Sequence, residues 1–150
     1  GIEFIINTFK PNKNLMKILS FLLKLIIAVI FIQSLFYKFS GHEQAIHIFS
    51  TLGIEPWGRI GIGVAELIVA LLLFVPKTSV LAVIGSAGLM AGAILSHLTT
   101  PLGVVVEWNG NSDNGTLFGM AIAVLFCSFV LLILQFQKKP QSIKEFLGIA

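Results

Sequence analysis

Six polar or ionisable side chains in this sequence sit in apolar surroundings. Glu66 interrupts GVAELIVALLLF (63–74), and Arg59 stands seven residues before it. Gln33, Tyr37 and Lys38 close the run IAVIFIQSLFYKF (27–39), and His97 ends LMAGAILSHL (89–98). A carboxylic acid with two cations, an imidazole, a phenol and an amide can hold or pass a proton. The same set can bind a quinone head group or another small ligand. A Glu–Lys or Glu–Arg pair can also do none of this and simply fix the register of packed helices. An ionised side chain near the centre of a membrane helix costs about 2.5–3.5 kcal/mol on insertion scales. A carboxyl there must stay protonated or find a cation or hydrogen-bond donors. Lys38 and Arg59 are the available cations, and His97 and Tyr37 the available donors.

Other chemistry is poorly supported. His42 and His47 are five residues apart, off the i, i+4 face, so a metal site between them is disfavoured. A b-type haem needs two facing axial histidines, and the three histidines here all fall near one surface. The single cysteine, Cys127, lies in an apolar run, which excludes an internal disulfide and a CxxC pair and reads as a buried thiol.

The elements that must position these residues are membrane helices. The chain has 150 residues, 56% of them hydrophobic and only 11% charged, with a mean hydropathy of +0.95. A soluble domain carries about 25% charged residues. The net charge of +3 comes from lysines at helix ends and tails rather than a basic patch, so nucleic acid is excluded as a partner. About 20 apolar residues cross a bilayer as a helix, and the spans read as 18–39, 57–75, 80–98 and 117–136. The predicted fold is all-α, an integral membrane bundle of four transmembrane helices, with the membrane domain at 16–136.

Residues 1–15 read as an extension outside that core, because Met16 opens MKILSFLLKLIIAVIFIQ like a natural start. Residues 137–150 read as a cytoplasmic tail. Lys10, Lys13, Lys17, Lys77, Lys138, Lys139 and Lys144 fall on one side, with Lys24 able to snorkel toward it. Lys38 and Arg59 fall on the other. The positive-inside rule then places both termini in the cytoplasm and the protein in the inner membrane, with loops 40–56 and 99–116 facing outward.

In the first outer loop, Ser40-Gly41-His42-Glu43 fits a capping box. Ala45, Ile46, Phe49 and Leu52 follow at helical spacing, which predicts a short interfacial helix closed by Gly53. The second outer loop combines VVVEW with the turn-rich NGNSDNG. Gly63 in span two and Gly85, Gly88 and Gly92 in span three form small-residue strips that predict close helix packing.

Helix direction sets the depth of the polar residues. Span one runs outward, so Gln33, Tyr37 and Lys38 occupy its outer half. Span two runs inward, putting Glu66 two turns, or about 10 Å, below Arg59 on the same face. His97 lies near the outer end of span three. The six side chains therefore converge on one leaflet.

The segments FIQSLFYKFSG, GVAELIVALLLFVPK, LMAGAILSHL and DNGTLFGMAIAVLF, in this order and spacing, resemble the DoxX family over residues 16–136. The resemblance implies a small integral membrane protein of four helices, associated in some relatives with quinone-linked oxidoreductase systems and in others with maturation of periplasmic partners. Lys38, Glu66 and His97 fall on its family-like polar positions. Three functions follow. The first is a subunit of a membrane redox system whose outer-leaflet site handles a quinone or a proton. The second is a non-catalytic accessory or assembly protein that binds a membrane or periplasmic partner through small-residue faces. The third is a carrier of a small solute or lipid, which with four spans requires a homo-oligomer.

Overall fold

The structure, a computed structural model, describes residues 1–8, 12–138 and 148. Lys10, Lys139 and Lys144, and nearly all of the tail from residue 139 onward, lie outside the described residues. Among those described, the helices are α1 (Ile2–Thr8), α2 (Lys13–Ser40), α3 (Glu43–Thr51), α4 (Trp57–Leu72), α5 (Ser79–Thr99) and α6 (Thr116–Lys138). Three of them, α2, α5 and α6, are long and apolar enough to cross a membrane. α4 carries the same apolar character but is only 16 residues long.

Local chemistry explains the ends. The Asn12 side chain accepts from the Asn14 N–H at 2.9 Å and caps α2, which therefore starts three residues before Met16 and inside the segment read as an extension. At the other end Gly41 is left-handed with φ of 67°, and the His42 N–H bonds back to the Tyr37 carbonyl at 3.1 Å. This is a Schellman closure, which needs a residue without a Cβ penalty.

It also corrects the capping-box reading. Ser40 belongs to the last turn of α2 and donates to the Tyr37 carbonyl. His42 caps α3 instead, its Nδ1 accepting from the Gln44 N–H at 3.2 Å. The glycine turn moved the cap by two residues and released the Glu43 side chain to accept from Asn109 Nδ2 at 3.3 Å.

Asn109 is one corner of a departure from all-helical architecture. Strands β1 (Glu107–Trp108) and β2 (Asn111–Ser112) pair antiparallel, with Trp108 opposite Asn111. The connecting Asn109-Gly110 has positive φ at both positions, as a two-residue hairpin turn requires.

α2 packs on α4 and α6, and α5 packs on the same two helices, closing a ring of four. Small residues permit the approach. A Cβ on Gly63 would stand 2.7 Å from the Phe39 ring, and one on Gly85 would stand 3.2 Å from Val69 Cγ2. One half of the ring is solid, built on Ile27 and Phe31 of α2, Ala82 and Val83 of α5, Val124 and Leu131 of α6, and Leu73 just beyond α4. Buried within it, Ser86 and Ser128 hydrogen-bond across α5 and α6. Leu71, Phe126 and Ile133 are among many large apolar side chains left exposed on the outside. In water that surface would be untenable; against lipid tails it is the expected exterior.

Candidate functional site

The other half of the ring is hollow. A cavity of about 640 Å³ lies between the upper parts of α2, α4, α5 and α6, roofed by α3 and the hairpin residue Trp108. That volume is typical of small-molecule sites. Most of the wall is apolar, and set among the apolar side chains are polar ones.

Glu66 is the deepest of these, 3% exposed. Its partner is Lys38 from the neighbouring helix, with Nζ donating to Oε1 at 3.2 Å and lying 3.1 Å from Oε2. The contact to Oε2 is electrostatic only: this oxygen is buried without a hydrogen-bond partner. Lys38 Nζ also donates to Ser34 Oγ, one turn back on its own helix. Ser34 was not among the residues read from sequence, although a serine four residues before a lysine shares its helix face.

Arg59 is not brought to Glu66. Its Nε reaches Glu55 Oε1 at 2.8 Å and Oε2 at 3.0 Å, and Nη2 reaches Oε1 at 2.7 Å. Its Nη1 donates to the Lys38 backbone carbonyl. The two-turn separation along α4 is longer than the arginine spans, while Glu55 lies within one turn. Arg59 therefore clamps the end of α2 from outside the cavity and acts on Lys38 through the backbone.

Gln33, Tyr37 and His97 all border the cavity. Tyr37 stands edge-on to His42, with centroids 4.8 Å apart. His97 is buried, its Nδ1 2.6 Å from the Gly103 carbonyl and its ring edge-on to Phe118. A carbonyl can only accept, so Nδ1 carries the proton, and in the neutral ring Nε2 is an acceptor. The imidazole thus anchors its own loop rather than bonding Glu66 through Nδ1.

The glycine strip of α5 divides. Gly85 is a packing position, but Cβ atoms on Gly88 and Gly92 would meet nothing within 4 Å, and both glycines border the cavity. They widen it instead of drawing helices together.

Asp113 is a site residue absent from the sequence reading. It is buried, with Oδ1 accepting from the Val106 and Gly115 N–H groups at 2.8 Å each and Oδ2 from Leu117 N–H at 3.1 Å. One carboxylate thereby fixes the loop after α5, the hairpin and the start of α6. The available signal was an acidic residue just before a helix start.

Among the described residues no three His, Cys, Asp or Glu side chains gather in a way that could hold a metal ion. The arrangement can desolvate a small, largely apolar molecule and present the Glu66 carboxylate to it, Asp113 being committed to backbone N–H groups. The model of the DoxX-like family matches residues 22–133. No curated protein and no solved structure matches the chain.

Proposed function

The chain belongs to the DoxX-like family, and we propose that it serves as a quinone-binding subunit of a membrane redox system. The observation that carries this is the buried Lys38–Glu66 pair opening onto a 640 Å³ cavity. A quinone head group is planar, mostly apolar and polar only at its ring oxygens. It fits a pocket whose walls are mostly apolar, with two bare glycines and polar groups set among them. Tyr37 and Gln33 of α2 and His97 of α5 also border it.

In this reading α4, extended by the turn residues 73–75, is a fourth crossing, and α3 lies in the outer interface. Both termini are cytoplasmic in the inner membrane, by the lysine distribution. Electrons pass to other membrane or periplasmic proteins, or between copies of this chain. Topology has a direct test. In a Cys127→Ser background, a cysteine at Asn111 should react with an impermeant maleimide added outside cells, and one at Lys77 only after lysis. Reaction at position 77 from outside, with position 111 protected until lysis, would remove the fourth crossing.

Binding is tested by titrating a short-tailed benzoquinone into the protein in nanodiscs and following tryptophan emission. Trp108 borders the cavity while Trp57 is exposed, so quenching should vanish in Trp108→Phe and persist in Trp57→Phe. Saturable quenching that survives Trp108→Phe, or none at all, would return the protein to the accessory reading, in which the ion pair only joins two helices.

A further inference from the structure

We infer that the cavity takes its quinone in the reduced form, as a hydroquinone whose ring hydroxyl donates to Glu66 Oε2. The inference rests on the reading of the cavity as a quinone site and deepens it by assigning the redox form. Its basis is a missing donor. Glu66 Oε1 is satisfied by Lys38, and Lys38 is further committed to Ser34. Oε2 is buried and has no hydrogen-bond partner, and a carboxylate oxygen can only accept. The group that completes this site must therefore bring a hydrogen.

The remaining acid and the imidazole do not supply one. The Asp113 carboxylate is committed to the backbone N–H groups of Val106, Gly115 and Leu117. The His97 Nδ1–H is committed to the Gly103 carbonyl. An oxidised quinone carries only carbonyl oxygens, so at Oε2 it would set acceptor against acceptor. A hydroquinone presents O–H groups on the same ring. Gly88 and Gly92 leave bare backbone bordering the cavity, a surface on which a flat ring can lie.

The test compares one short-tailed benzoquinone, its quinol and the quinol's dimethyl ether by anaerobic calorimetric titration into the full chain in phosphatidylcholine nanodiscs. A hydrogen bond to a buried charged acceptor corresponds to a preference of about tenfold or more. The quinol should bind tighter than the quinone by that factor, and the ether, which has no donor, should bind no better than the quinone. Glu66→Gln, which offers a neutral amide, should erase the preference. The ether comparison keeps the test decisive should that variant fail to fold. Equal affinity for quinone and quinol would overturn the assignment of redox form while leaving the quinone site standing. Binding of none of the three would remove the quinone site itself.

Discussion

Lys38 Nζ stands 3.1 and 3.2 Å from the two oxygens of Glu66, joining α2 to α4 at the floor of a cavity. Both side chains are nearly sealed from the exterior, so the pair is held by desolvation as much as by attraction.

Removing one partner leaves the other charge buried alone. Lys38→Met should lower stability by about 3–5 kcal/mol, the range for a broken buried pair. Lys38→Met combined with Glu66→Leu should recover most of that loss. Unfolding in mixed micelles with increasing SDS measures both. A double variant no more stable than the single would mean the two residues are not energetically coupled.

The glycines separate by role. Gly63→Leu drives a side chain into the Phe39 ring and should cost about 1–3 kcal/mol through overpacking. Gly92→Leu extends into open space, should leave thermal stability near wild type, and should weaken quinone binding in the nanodisc titration at least tenfold. Retained affinity in a well-folded Gly92→Leu protein would place the ligand elsewhere.

Arg59 acts at one remove. Arg59→Gln loses the bidentate contact with Glu55 and the bond to the Lys38 carbonyl. Because the arginine lies outside the cavity, the loss of stability should be modest and smaller than that of Lys38→Met. Glu55→Gln keeps the Arg59–Lys38 bond available and should cost less. Equal losses would show that the backbone contact carries no weight.

Asp113→Ala strands three backbone N–H groups at once. Hydrogen exchange at the Val106, Gly115 and Leu117 amides should accelerate by orders of magnitude, with the amides of α2 unaffected. Unchanged exchange at these three positions would contradict the loop architecture.

The sequence carried the α2–α4 meeting because depth follows from helix direction and a constant rise per residue. Lys38 near the end of one helix and Glu66 two turns down the next fall within reach of a lysine side chain. It did not carry the fate of Arg59. Periodicity places a side chain on a face, but Glu55, just before α4 begins, competes from a position that no helical wheel includes. The same limit hid Asp113, whose three donors converge only when a hairpin and two helix ends are folded together. For Gly88 and Gly92 the pattern was visible and ambiguous. A missing side chain permits either a neighbour or a void, and which one follows depends on the whole ring. The shift of the α3 cap from Ser40 to His42 has a smaller cause, a left-handed glycine that ended one helix before the next could begin.

Solid packing around Leu131 and Val83, and open space beside Gly88 and Gly92, make the molecule mechanically uneven. Hydrostatic pressure acts on void volume, so it would compress the half holding the cavity and leave the packed half almost unchanged. The chain is a stiff base carrying a compliant mouth. A guest that fills the mouth would be felt as a loss of compressibility in that half alone.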